Sequence, residues 1–234
     1  MRFLGVLLCF GQAFGAPVWA DILPVPYADL EKELSSVLTF ETLPQRSEPG
    51  FNFDHLMRLK GAWVGEHFAG QTLGSAPSET GQPHDTLSEP QASAPLTLRT
   101  GAPWRNLSIA HHRGFGSNAV LPLGPLGFQD ISGRGEGAFA VLFDHDQPAF
   151  GFRLHAAYDS PLGQASMRGS VVVHVFDRQG NLIGRASIHP GEGVSEHGFR
   201  TLSPPHVAGI MITNTDPGGI ALDDILFQIE RMLF

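Results

Sequence analysis

From residue 137 onward the chain alternates short apolar blocks with clusters of turn-forming residues. Gly137-Ala138-Phe139-Ala140-Val141-Leu142-Phe143 reads as a buried strand, Asp144-His145-Asp146-Gln147 as a hairpin turn, and Pro148 to Tyr158 as the returning strand. In that return Phe150, Phe152 and Leu154 share one face, while Gly151, Arg153 and His155 share the other. Val171 to Phe176 and Leu182 to Ile188 flank Asp177-Arg178-Gln179-Gly180-Asn181, residues suited to a hairpin turn. Gly198 to Leu202, Val207 to Asn214 and Ile220 to Ile229 complete the series. The last of these strands carries two adjacent carboxylates, Asp223 and Asp224, among apolar residues, where a charge is costly unless something pairs with it.

The N-terminal half is less regular. Residues 21–36 hold the one plausible helix, Tyr27 to Leu34, which could equally be a loose arm. Val37 to Leu43 alternates toward a strand, and short strands are expected at Phe51 to Asp54, Ala62 to Phe68, Pro95 to Thr100 and Leu107 to His111. Gln71 to Pro95 is rich in Gly, Ser, Pro, Thr and Glu, and reads as one long flexible surface loop. Gly114 to Gly137 reads as a Gly-rich connection. About ten short strands with almost no helical period predict an all-β sandwich or barrel. No repeat at a fixed period is visible, which argues against solenoids and propellers.

Composition narrows the setting. Residues 1–20 read as a signal peptide: Arg2 is the positive end, Phe3 to Phe10 is nearly all apolar, and Val18-Trp19-Ala20 precedes the expected cut. Gly11, Gln12 and Gly15 interrupt that stretch, so no integral membrane segment is expected in the mature chain. Cleavage would remove Cys9, the only cysteine, and leave no disulfide to form. The net charge of −8 without a basic stripe argues against nucleic acid as a partner. An exported protein, periplasmic or extracellular, is the expectation.

Catalytic signatures are scarce. There is no Gly-x-Ser-x-Gly and no His-Glu-x-x-His, and Gly133-Arg134-Gly135-Glu136-Gly137 precedes a strand where a phosphate cradle needs a helix. His111-His112, Asp144-His145-Asp146 and Glu196-His197 read as strand and turn residues rather than a zinc set. Glu136, Asp144, Asp146, Glu192 and Glu196 are acids of the right type for glycoside hydrolysis, with no spacing that singles out a pair. Trp63, Trp104 and Tyr158, with Arg105 beside the second, are candidates to bind a glycan by stacking, or else rings packed at the rim of the core.

Several short motifs in order carry a resemblance. They are Leu38-Thr39-Phe40-Glu41, Ala149-Phe150-Gly151-Phe152, Val173-His174-Val175-Phe176-Asp177-Arg178-Gln179-Gly180-Asn181-Leu182-Ile183-Gly184, and Ile220-Ala221-Leu222-Asp223-Asp224-Ile225-Leu226-Phe227. Over about residues 37 to 229 the chain resembles secreted bacterial jelly-roll β-sandwiches of the galactose-binding-like, carbohydrate-binding-module type. The resemblance implies an antiparallel jelly-roll-like sandwich over residues 37–234 and a structural calcium held by Glu41 with Asp223 or Asp224. Strict alternation puts Asp223 with Ile225 and Phe227, and Asp224 with Leu222 and Leu226, which leaves the choice between them open. The function implied is an exported, non-catalytic, glycan-binding module. Two other classes stay in view: a secreted polysaccharide hydrolase using a carboxylate pair, and a structural or adhesive surface protein whose partner is another protein.

Overall fold

The structure, a computed structural model, describes residues 22–156 and 169–229. The expected leader and Tyr158 lie outside these residues. The chain opens with β1 (Ile22–Val25), α1 (Tyr27–Glu33) and β2 (Ser36–Leu38). β3 (Phe51–Phe53), β4 (Met57–Leu59), β5 (Ala62–Gly65) and β6 (His67–Phe68) follow. Then come β7 (Thr72–Pro77), β8 (Pro83–Glu89), β9 (Leu98–Arg99), β10 (Leu107–His112) and β11 (Ser117–Pro122). The longer strands are β12 (Phe139–Gln147), β13 (Ala149–Ala156), β14 (Val171–Phe176) and β15 (Leu182–Ile188). β16 (Gly193–Thr201), β17 (Val207–Asn214) and β18 (Ala221–Phe227) finish the described chain.

These strands form an all-β sandwich. One sheet runs β1-β16-β13-β18-β11-β10-β3 with β2 also on β18; the other runs β15-β14-β17-β12-β5-β4. Inward side chains from both sheets, among them Val141, Phe152, Val173, Ile210 and Leu222, make one core in which each is essentially shielded from water. Burial of such aliphatic and aromatic side chains contributes roughly 1.5–3 kcal/mol apiece, the main source of stability in a fold without disulfides.

The N-terminal segment is the expected helix. Pro26 fixes the backbone ahead of it, and Tyr27, Leu30 and Leu34 line one face, which packs on Ala149 and Leu226 outside the larger sheet. β2 then runs beside the last strand, with Leu38 opposite Ile225.

Three expectations are corrected. Asp144 to Asp146 is not a hairpin turn: β12 continues through a bulge to Gln147 opposite Val207, and after Pro148 the chain enters the other sheet as β13. The three residues are exposed because they bulge out of the ladder, so their polar character marked the surface without marking a reversal. The Gly-rich connection holds β11, hydrogen-bonded between β10 and β18; its flanking glycines and Pro122 hid five buried residues, Asn118 to Pro122. The segment 71–95 is not a plain loop. β7 and β8 pair in register from Leu73–Leu87 to Pro77–Pro83, turning at Gly81 with φ of 84°.

That hairpin lies over the outer face of the smaller sheet. Phe176, Ala208 and Met211 point away from the main core, and Phe68, Leu96 and Leu98, with the half-buried Leu73 and Leu87, cover them. His84 fastens the hairpin: its side chain is fully buried, and Nε2 lies 2.8 Å from the Asp216 carbonyl oxygen.

Candidate functional site

Where the hairpin leaves the sandwich it walls off two clefts. The larger, about 470 Å³, is lined by Glu66, His67, Ser75, Asp85, Gly101 and Arg105 among others. The smaller, about 200 Å³, lies between β8 and the uncovered end of the sheet face, lined by Asp85, Thr86, His174, Arg185 and Thr213 among others. Asp85 borders both.

The two buried acids of the larger cleft are held by local chemistry. Glu66 follows β5 and is nearly buried; His67 Nδ1 sits 2.8 Å from its Oε2. Its carboxylate lies against Gly101, where a Cβ would stand 2.1 Å from Oε2, so only glycine leaves room. The Asp85 backbone N–H donates to the Glu136 carbonyl at 2.9 Å, and Asp85 Oδ2 accepts from the Ala138 N–H at 3.2 Å. Burial pushes the Asp85 carboxyl up to about 7, with Glu66 adding like-charge repulsion and Arg105 offsetting part of it. Arg105 is exposed; its backbone N–H donates to the Ala102 carbonyl at 3.1 Å, and its guanidinium makes no hydrogen bond or ion pair with the described residues.

Trp104, the residue before Arg105, is half exposed at 51% and stands at a φ of 67°. A bulky residue in the left-handed region is strained by about 1 kcal/mol and persists only if its surroundings hold it. Here Asp54 accepts the Trp104 N–H at 2.8 Å, and Asn106 ties Asp54 to the Gly101–Ala102 backbone. The ring leans on Phe128, and Leu126 and Ile131 of the same neighbouring segment are also exposed, giving an apolar rim.

Other expected residues fall elsewhere. Trp63 lies on the outer side of β5 with the Arg58 guanidinium over its ring at 5.3 Å, and Arg58 is paired with Asp144 at 2.7 Å. Arg105 thus lines the cleft, Trp104 is its chain neighbour outside that lining, and Trp63 belongs to a separate ion-paired surface. Glu66 and Asp85 were not singled out from the sequence; no linear spacing joins them, since the hairpin fold brings them together.

Glu41 and the two Asp residues sit at the seam of β2, β11 and β18. Glu41 Oε1 accepts the Asn118 N–H at 2.5 Å, and Asp223 Oδ2 accepts from Ser117 Oγ at 2.5 Å. Strict alternation fails here. Asp224 has a φ of 48°, and the β13–β18 register slips by one residue between Arg153–Asp223 and Gly151–Leu226. The core side chains are therefore Ile220 and Leu222 before the bulge and Ile225 and Phe227 after it, and both acids leave the core face. Asp223 is almost completely buried beside Ser117, whereas Asp224 pairs with Arg153 at 2.9 Å. Burial pushes the Asp223 carboxyl up to about 6, the Ser117 hydrogen bond opposing this, with smaller upward pushes from Asp224 and Glu41. Asp223 Oδ1 and Asn118 Oδ1 are buried without a hydrogen-bond partner. No group of three or more His, Cys, Asp or Glu that could hold a metal occurs among the described residues.

The architecture defines the class as an antiparallel β-sandwich with a hairpin-walled cleft. No protein-family model and no curated protein sequence matches the chain. Among solved structures, it is similar to two variants of CBM29-2, a family 29 carbohydrate-binding module. One aligns at a TM-score of 0.34 and 11% identity, over 58% of this chain and 94% of the module. The other aligns at 0.33 and 11%, over 70% and 99%. The enzymatically active domain of tailspike protein 4 from bacteriophage CBA120 aligns at 0.31 and 14%, over 53% of this chain and 18% of its own. At scores of this size the likenesses add nothing to the all-β sandwich that the strand order shows by itself.

Proposed function

We propose that this protein is a glycan-binding β-sandwich domain whose ligand lies in the larger hairpin-walled cleft. One observation carries the reading: a concave site lined by acid, imidazole, guanidinium and hydroxyl groups, with the strained, exposed Trp104 next to Arg105 at its edge. Sugars present hydroxyls for such polar groups and C–H faces for an aromatic ring. Arg105 is a free donor, Glu66 and Asp85 are acceptors for hydroxyls, and the apolar rim of Leu126 and Ile131 suits the less polar sugar face. Export to the periplasm or medium belongs to the same reading and is supported by residues 1–20. No helix among the described residues is long and apolar enough to cross a membrane.

A structural calcium at the β2–β11–β18 seam is a second part of the proposal. Calcium takes oxygen donors from carboxylates, amides and carbonyls. Glu41 and Asp223 would supply charge and Asn118 an amide oxygen; the two unpartnered buried oxygens support this, and Asp224 is committed to Arg153. Bound there, the cation would offset the desolvation of Asp223 and fasten β2 to β18.

The test of the function is titration calorimetry of the purified chain against a polysaccharide panel, with Trp104→Ala and Arg105→Ala beside it. Binding that both variants weaken at least tenfold is expected. Absence of binding across the panel would refute the reading.

A further inference from the structure

The arginines among the described residues differ in their partners. Arg58, Arg153, Arg178 and Arg200 each pair with a carboxylate. Arg46, Arg99 and Arg113 have no ion pair among the described residues, and neither do Arg105 and Arg185, whose side chains make no hydrogen bond there either, although the chain carries an excess of acids. Arg105 and Arg185 each line one of the two clefts that share Asp85. A cation without a partner at a concave site is available to a negative group that arrives from outside.

The smaller cleft holds an independent sign of a ligand. Val172, His174 and Thr213 continue the outward face that the hairpin covers further along, with Arg185 directly across from His174 in the ladder. His174 is 3% exposed, lines the cleft, and its Nδ1 is buried with no partner. Burial, together with the Arg185 charge, lowers its pKa to about 4, so the ring is neutral at physiological pH. A buried N–H without an acceptor is rarer, and costs more, than a bare lone pair. Placing the ring proton on Nε2 avoids that cost and makes Nε2 a donor. Beside it stand the hydroxyls of Thr86, Ser170 and Thr213. The site presents donors and one fixed positive charge, and the Asp85 carboxyl between the clefts is held largely uncharged at mildly acid pH.

We propose that Arg185, with His174 and the threonine hydroxyls around it, binds the carboxylate of an acidic sugar, and that Arg105 takes a second such group across Asp85. The ligand class is then a polysaccharide containing uronic acids. This rests on the glycan-binding reading and makes it more specific. A guanidinium meets a carboxylate through two parallel hydrogen bonds, a match that a neutral sugar cannot offer.

The experiment compares polygalacturonate and alginate with the same polymers after carboxyl reduction, by titration calorimetry of the full chain. The native protein should bind at least one acidic polymer about tenfold or more tightly than its reduced form, the scale of one charge-assisted contact, and the preference should shrink as salt rises. Arg185→Gln should abolish most of that preference while leaving the melting temperature in place; Arg185→Lys should restore part of it. Equal affinity for acidic and reduced polymers, or a preference that survives Arg185→Gln, would overturn the inference and leave glycan binding standing. Tighter binding of a sulfated galactan than of either uronate would overturn the assignment of the carboxylate. Failure to bind any polymer, charged or neutral, would remove both readings together.

Discussion

Asp223 and Asp224 are adjacent in the chain yet answer to different partners: Ser117 donates to the first at 2.5 Å, and Arg153 pairs with the second at 2.9 Å. The bulge between them separates a buried acid facing Glu41 from a half-exposed acid under α1, where Tyr27 also donates to the Asp224 carbonyl oxygen at 2.9 Å. The seam and the helix dock are therefore built from consecutive residues.

That division makes the calcium proposal testable at the seam alone. Exhaustive chelation should lower the melting temperature by several degrees, since about 1 kcal/mol moves it roughly 2–4 °C in a chain of this size. Glu41→Ala should remove the response to chelation, and Asp224→Asn should leave it. A melting curve that chelation does not move, followed by scanning calorimetry, rules the calcium out.

A second expectation concerns pH. Burial pushes the Glu136 carboxyl up to about 8, and its Oε2 has no partner. A folded-state pKa above the unfolded one means that the native state holds the proton more tightly. The associated stability is complete below about pH 4.5 and is lost as pH rises through about 8. Asp85 acts in the same direction with its midpoint near 7. Thermal stability should thus fall between pH 5 and 9, and Glu136→Gln should flatten the slope and raise stability at pH 8 by an amount on the order of 1 kcal/mol or more. Melting curves across that range, native against variant, decide it; parallel slopes would contradict it.

Gly101→Ala offers a test of the cleft that leaves every functional group in the protein. The new methyl would meet the Glu66 carboxylate oxygens near 2.1 Å, so the carboxylate must swing away from His67. Glycan affinity should drop about tenfold or more with little change in far-UV circular dichroism. An unchanged affinity would show that Glu66 is not needed where it stands.

For the aromatic residues the expected contrast is between two tryptophans. Trp104→Ala should cost binding on the scale of 1–3 kcal/mol and leave the backbone strain in place, since alanine keeps the Cβ. Trp63→Ala should leave binding alone and cost a few tenths of a kcal/mol in stability through the lost Arg58 contact, which is exposed and therefore weak. Calorimetric binding and melting data on both variants would show either pattern.

Much of the sandwich was readable because period-2 alternation is strong where one face is buried. Phe150, Phe152 and Leu154, and the β14–β15 hairpin capped by Asp177, fell where the pattern put them. Alternation misled at the bulges, where one extra residue resets the phase without any special residue type announcing it; Asp224 holds its positive φ with no glycine. The clefts were not readable. β7 and β8 pair through residues such as Gly74, Ser75 and Thr86, whose composition is that of a loop, and His84 is buried by a carbonyl 132 positions away. Of the residues expected to bind sugar, Arg105 lines the larger cleft with Trp104 next to it in the chain, and Trp63 lies on another surface, beside the Arg58–Asp144 pair.

The hairpin also bears on how such a protein could diversify. The sandwich core draws almost nothing from residues 72–89, which contribute only Leu73 and Leu87 to the packing outside it. The hairpin can therefore vary with little change to the core of the sandwich. Under the glycan-binding proposal, substitutions at the partly buried Ser75 and Thr86 should change ligand preference at small cost to the melting temperature, which makes them the positions to randomise in a library selected for new sugars.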